Sequence, residues 1–209
     1  IEKLRLNEDI LKWNENDLLK LASELRKKTK PMMIVANKID VPGSEDNLKR
    51  LLNKFPDYKI IPCSAESELA LKEATKKGLI IYIPGSNNFE IANNSLNDNQ
   101  KNALKFINEN ILKKYNSTGI QDVLDFAVFN LLGYIAIFPG GVSKLEDKDG
   151  RILPDCFLLP RNSTALDFAF RIHTDIGKKF VKAIDVKKRI AIGKDHMLKN
   201  RDVIEIKTS

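Results

Sequence analysis

No stretch of the 209-residue sequence approaches the roughly 18 apolar residues that a membrane-spanning helix requires. The opening Ile1-Glu2-Lys3-Leu4-Arg5-Leu6 lacks the apolar core of a secretory signal. These absences give the expectation of a soluble, cytoplasmic protein with no membrane partner. Only two cysteines occur, Cys63 and Cys156, far apart and outside any CxxC pattern, which argues against a disulfide framework or a zinc site. There is no internal repeat and no low-complexity tract. With 10 glycines and 8 prolines against 43% hydrophobic and 30% charged residues, the composition excludes a disordered chain and fits a folded one. The first residue is Ile rather than Met, so the chain is expected to start inside a longer gene product.

The net charge of +7 is unevenly placed. Residues 134–209 hold 15 Lys and Arg against 10 Asp and Glu, whereas the first 133 residues hold 20 against 18. A basic C-terminal third points to a polyanionic partner such as RNA, although net charge speaks to attraction and not to fold.

Hydrophobic periodicity divides the chain. Leu18, Leu21, Ala22 and Leu25 recur at helical spacing, with Asn16 or Asp17 as the expected cap and Pro31 as the stop. Met32 to Ala36 is a short apolar run, expected of a strand buried on both faces of a parallel sheet. Leu48, Leu51 and Leu52 mark a second helix, Lys59 to Pro62 a second short strand, and Ser67 to Lys77 a third helix ended by Gly78. Strand, helix, strand is a βαβ unit. After a loop near Tyr82 to Asn88, two helical patterns, about 98–115 and 120–132, read as a hairpin joined near Ser117-Thr118-Gly119.

From Tyr134 the pattern changes to strands at Tyr134 to Phe138, Leu153 to Leu159, Lys179 to Ile184 and Val203 to Ile206. Asp147 to Gly150 is read as a turn, and one helix, Thr164 to Ile172, is capped by Ser163 or Thr164. Two strands, a helix and two or more strands describe an α+β domain of the β-grasp type. The expected organisation is an α/β part over 1–89, a helical segment over 90–133 and the β-grasp domain over 134–209.

Asn37-Lys38-Ile39-Asp40 follows directly on the first predicted strand, at the end where α/β sheets place ligands. The residue types suit guanine. A carboxylate at Asp40 accepts from the ring N–H and the exocyclic amine together, a donor pair that adenine lacks, and a donor left unpaired is discriminated against steeply. The Lys38 stem can cover the base plane, and the Asn37 amide can both donate and accept. A four-residue pattern with one free position also arises by chance in solvated loops. Against that stands its context, for Ile61-Pro62-Cys63-Ser64-Ala65 ends the next strand in Ser-Ala. That pair resembles the SA motif of GTPases, whose backbone N–H meets the guanine O6.

The run from Lys30 to Asp40 resembles the NKxD segment of archaeal Obg/YchF-type GTPases, and the likeness continues to the C-terminus. Leu153 to Pro160, Ser163 to Gly177 and Leu198 to Ile206 are very similar to a TGS domain. The resemblance implies a P-loop GTPase G domain, truncated here, whose guanine contacts are Asn37, Lys38, Asp40, Ser64 and Ala65. It implies GTP as the nucleotide, since relatives that prefer ATP depart from NKxD. There is no GxxxxGK[ST] loop, and no DxxG or switch threonine segment stands ahead of Asn37, so the phosphate and Mg2+ ligands are expected outside this chain. Alone, these 209 residues are expected to be catalytically inactive. The segment Ile1 to Trp13 fits the family pattern poorly, which gives the expectation of an omitted piece before the Asp17 helix.

TGS domains also imply RNA or ribosome contact. The expected carriers are Lys178, Lys179, Lys182, Lys187, Lys188, Arg189 and Lys194, seven cations in 17 residues relieved only by Asp185. Their alternative role is to keep a strand edge soluble. His173 is expected to be a helix-end residue without catalytic work, because no nucleophile accompanies it. Leu166, Phe168 to Phe170, Ile172, Phe157 and Phe180 are expected to be core. The competing functional reading is a non-catalytic RNA- or ribosome-binding adaptor that retains G-domain remnants. The oligomeric state is left open.

Overall fold

A computed structural model describes the chain except residues 1–3, 5, 8, 94, 147 and 148. It forms two compact units, Ile1–Asp125 and Phe126–Ser209. The turn expected at Asp147 to Gly150 lies partly outside the described residues.

The first unit is α/β. Helix α1 (Glu15–Thr29) is capped by Asn14, with Asp17 returning a bond to the Asn14 backbone in a reciprocal capping box. The cap therefore falls earlier than Asn16 or Asp17, because Asp17 serves better at the third helical position, where its carboxylate meets the Asn14 N–H. Strand β1 (Ile34–Ala36), helix α2 (Ser44–Lys54) and strand β2 (Ile60–Pro62) make the βαβ unit, with β1 and β2 parallel and Ile34 opposite Ile60. Among the described residues β1 pairs with β2 alone, and Val35 remains 42% exposed, so this strand is not covered on both faces. The apolar run correctly marks a strand and overstates its burial.

Ser64 caps α3 (Ala65–Lys76), which leads to the short antiparallel pair β3 (Ile80–Ile81) and β4 (Glu90–Ile91). Helix α4 (Asp98–Ile107) carries a second capping box, Asn97 with Gln100. It runs through a π-helical turn, Asn108–Leu112, into α5 (Lys113–Tyr115), and Asn116 ends it in the left-handed region at φ 65°. Helix α6 (Ile120–Asp125) closes the unit. Its core joins Leu71, Ile80, Tyr82, Leu104, Ile111 and Leu112 with Ile39 from the Asn-Lys-Ile-Asp turn.

The second unit opens with the π-helical segment Phe126–Leu131 and builds one mixed sheet from β5 (Tyr134–Pro139), β6 (Phe157–Pro160), β7 (Phe180–Asp185), β8 (Ile190–Ile192) and β9 (Asp202–Thr208). The strand order is β6-β5-β9-β7-β8, and the central pair β5 and β9 is parallel. Strand β6 begins four residues later than Leu153, since Leu153 adopts a positive φ of 43° and Pro154 withholds a donor. Between β6 and β7, helix α7 (Ala165–Ile172), capped by Thr164, lays Phe168 against Phe157, Ile137 and Ile204. The Phe157 and Phe168 rings meet edge to face at 5.8 Å. Helix α8 (Thr174–Lys178) follows at once, with the His173 Nδ1 accepting from Asp175 N–H as its cap. One residue of the predicted aromatic core departs: Phe170 is 46% exposed, its ring lying over Gly177, where a Cβ would come within 2.4 Å of the ring.

A turn with a buried carboxylate joins β7 to β8. Asp185 is 2% exposed and accepts from Lys188 N–H at 3.1 Å and from the Lys188 ammonium at 2.6 Å. Burial alone would push its carboxyl up, but the Lys188 ammonium and the turn amides outweigh that and hold it below the usual carboxylate range. A group held down in the folded state stabilises it above the unfolded pKa and loses that contribution as pH falls through the folded one. Asp185→Asn is thus expected to cost about 1–3 kcal/mol near neutral pH, read by hydrogen-exchange protection of the β7 and β9 amides in urea. The gap from wild type should shrink below about pH 4, near the carboxylate reference value. A gap independent of pH would show that ionised Asp185 does not hold the turn.

Candidate guanine-binding site and basic surface

Parallel pairing places the carboxyl ends of β1 and β2 side by side. Cys63 N–H donates to Ala36 O at 2.9 Å, and Ile39 N–H donates to Cys63 O at 3.2 Å, so the two loops leave the sheet already cross-linked. Lys38 adopts the left-handed conformation at φ 67°, which reverses the chain. Ile39, the free position of the motif, turns inward and is 7% exposed, while Asn37 and Lys38 face outward and Asp40 is half-buried. The motif is thus a turn anchored by its one apolar residue.

Side chains then join the loops. Asn37 Oδ1 accepts from Lys38 N–H at 2.8 Å, from Ala65 N–H at 3.1 Å and from the Cys63 thiol at 3.6 Å. Burial, and after it the charge of Asp40, push the Cys63 thiol up, which keeps it protonated as a donor. Ser64, with no exposed surface, donates its hydroxyl to Asp40 Oδ1 at 2.6 Å and accepts from Ser67 N–H at 3.2 Å. The carboxylate of Asp40 therefore has a fixed orientation, and a fixed acceptor pair can select a planar edge that carries two N–H donors. A depression of about 300 Å³ lies against the outer side of this turn, walled by Ala36, Asn37, Lys38 and residues of α2, but Asp40, Ser64 and Ala65 are not part of its wall.

The sequence-predicted base contacts Asn37, Lys38, Asp40, Ser64 and Ala65 thus come together within two touching turns. Three residues escaped the sequence reading. Thr118 O accepts from Ser64 N–H at 2.9 Å, the Thr118 hydroxyl donates to Glu68 Oε2 at 2.6 Å, and Tyr82 donates to the same Glu68 oxygen at 2.8 Å. Burial, reinforced by Glu68, pushes the Tyr82 phenol up to about 12. A backbone carbonyl leaves no trace in residue type; the buried Glu68 on the α3 face was the one available clue.

The basic cluster divides. Lys178 and Lys179 stand where α8 meets β7, and Lys187, Lys188 and Arg189 occupy the turn at the other end of the six-residue β7, roughly 20 Å away at strand rise. Between them Lys182 lies across from Lys207 on β9. Lys194 follows β8, and its carbonyl accepts from Leu166 N–H at the start of α7. All seven cations are exposed at residue level, but the Lys188 ammonium is committed to Asp185 and the Lys187 ammonium to Arg201 O.

Comparison with known families decides the kinship. The family model described as "Obg-like GTPase YGR210-like, G4 motif-containing domain" matches residues 35–141, about half of the chain, and takes in both turns of the site. The chain belongs to the YGR210-like branch of the Obg-like GTPases. A TGS domain model matches residues 146–208. The GTP-binding protein MJ1332 of Methanocaldococcus jannaschii is 47% identical over 203 residues, covering 96% of this chain and 51% of that protein. The GTP-binding protein C428.15 of Schizosaccharomyces pombe is 26% identical over 174 residues, which are 79% of this chain and 42% of that one. A crystal structure of a GTP-binding protein from Pyrococcus horikoshii OT3 superposes with a TM-score of 0.65 at 38% identity, covering all of this chain and 54% of that one. The chain thus spans about half the length of these relatives. No helix among the described residues of this Obg-like chain is long and apolar enough to cross a membrane.

Proposed function

We propose that this chain supplies guanine recognition and a partner-binding module to a GTP-hydrolysing Obg-like protein. One observation carries the reading: the Asp40 carboxylate, oriented by the Ser64 hydroxyl, stands beside the outward-facing Asn37 and Ala65 at the carboxyl ends of two parallel strands. In this reading Asp40 accepts from the guanine N1–H and exocyclic amine, and Ala65 N–H leaves Asn37 Oδ1 for the base O6. Lys38 covers the ring with its stem, and Asn37 keeps the loops joined through the Cys63 thiol that its Oδ1 still accepts. The Mg2+ that accompanies GTP is held by nucleotide phosphates with one or two side chains of the phosphate site, and as the sequence carries no GxxxxGK[ST] loop those ligands would come from elsewhere in the protein. Phosphate binding and in-line attack by water would likewise fall to the part of the protein beyond these residues. The division 1–89, 90–133 and 134–209 is one of role, base recognition, helical segment and partner binding, in a protein acting in the cytoplasm. By packing, the helices up to Asp125 belong to the first unit, and α4 shares its core.

Asp40→Asn in the full-length gene product replaces one acceptor with a donor. GTP affinity should fall at least about tenfold, which is about 1.4 kcal/mol, while xanthosine triphosphate, whose altered edge supplies an acceptor, should gain. Calorimetric titration with both nucleotides checks this, and unchanged GTP affinity removes Asp40 from the site. Absence of nucleotide binding by the unaltered protein would favour the adaptor reading instead.

The basic excess of the last 76 residues, together with the TGS likeness, supports RNA as the partner of the second unit. If its lysines contact phosphates, log affinity of the 209-residue chain for a structured RNA should fall with log salt by about 0.7 per contact on single-stranded segments. Because Lys188 serves Asp185, the informative variant changes Lys178, Lys179, Lys182 and Arg189 to Glu and spares Lys188. Filter binding at two salt concentrations should give weaker binding and a shallower slope. An unchanged slope returns these lysines to the role of keeping strand edges soluble.

A further inference from the structure

The turn Asn116 to Gly119 holds the Ser64-Ala65 loop from behind. Ser64 N–H is spent on Thr118 O, and Gly119 lies so close to the end of β2 that a Cβ there would stand 2.1 Å from Pro62 O and 2.8 Å from Cys63 Cβ. Gly119 also has a φ of 81°, so both space and conformation exclude a side chain. Thr118, fully buried, is fixed in turn: its hydroxyl donates to Glu68, which sits one turn into the helix that Ser64 caps. The bonds close a ring from Ser64 along α3 to Glu68, across to Thr118 and back to Ser64. On its other side the turn is tied by Gly119 N–H to Ser117 Oγ at 2.9 Å and by the Ser117 hydroxyl to Asp122 of α6 at 2.7 Å.

We propose that Thr118 and Gly119 are positioning residues for guanine recognition, aiming Ala65 N–H at the base and tying the base site to α6. The inference rests on the base site proposed above. The Ser64 amide and hydroxyl both have fixed partners, so the direction of the next N–H, that of Ala65, is set by where Thr118 O stands. Ala65 N–H now meets Asn37 Oδ1 at 3.1 Å, the bond that the base O6 would replace in that reading. A buried polar ring of this kind adds little net stability over an apolar packing of the same shape; what it adds is orientation. Helix α6 begins at Ile120, the residue after Gly119, so a displacement of α6 reaches Ser64 through a single turn.

The test compares wild type, Thr118→Val, Thr118→Ser and Gly119→Ala in the full-length gene product, measuring GTP and ATP affinities and the thermal midpoint. Thr118→Val should lower the ratio of GTP to ATP affinity about tenfold or more, with the loss falling on GTP. Thr118→Ser, which restores the donor to Glu68, should recover the ratio to within about threefold. Gly119→Ala should lower it further; should that variant not fold, Thr118→Val and its serine rescue decide the matter. A lowered midpoint with an unchanged ratio would make the turn a purely structural support, and a serine variant as poor as valine would remove the hydroxyl from the argument. A wild-type protein without guanine preference overturns the base site itself, a result distinguishable from both.

Discussion

Ser64 has no surface in contact with solvent, and its amide and hydroxyl are both bound. Its amide goes to Thr118, while its hydroxyl goes forward to Asp40 and receives the Ser67 amide that starts α3. A serine in this position connects three otherwise separate parts: the strand end, the helix start and the carboxylate that faces solvent. Leaving any of these buried groups unpaired costs the full desolvation of that group, so the arrangement is held together by the penalty for breaking it rather than by the strength of any one bond. The same constraint gives the proposed base site its directional quality. The carboxylate is held by the Ser64 hydroxyl and the Ala65 amide by Asn37 Oδ1, so a ligand in this site would displace one side-chain acceptor rather than order a loop.

The second unit uses the same principle for another purpose. Asp185 is buried in the β7–β8 turn and is satisfied by Lys188 and the turn amides. Two of the seven basic residues, Lys187 and Lys188, thus serve the fold, and the remaining cations stand at both ends of β7, along it at Lys182 and after β8 at Lys194. In the proposed RNA reading, two separated groups with Lys182 between them would meet several phosphates along a polymer rather than one compact anion.

Much of this was legible in the sequence, for reasons that can be named. Asn37-Lys38-Ile39-Asp40 and Ser64-Ala65 are visible because each follows a short apolar run, and the parallel pairing of those runs brings the motifs together. The β-grasp order was visible because strand patterns flank a helix whose cap and Phe168 stand at the right spacing. What escaped depends on neighbours that sequence does not specify. The exposure of Val35 depends on which strands flank β1, and that of Phe170 on the accident that Gly177 leaves room for its ring. Asn14 replaces the expected cap because Asp17 can serve from the third position. The role of Thr118 runs through its carbonyl, which every residue possesses, so only the fold can reveal it.

In the proposed reading the edge of guanine is read by Asp40 and Ala65 from a site already assembled. The most direct measurement is a crystal structure of the full-length gene product with GDP bound. Both Asp40 carboxylate oxygens should lie within about 3.2 Å of the guanine N1 and exocyclic nitrogen, with Ala65 N at a similar distance from O6. The Ser64 contacts to Thr118 and Asp40 should remain as they are here. A base seated away from Asp40 would remove that carboxylate from guanine recognition, and a Ser64–Ala65 turn that must break from Thr118 to admit the base would show that the site is not assembled beforehand.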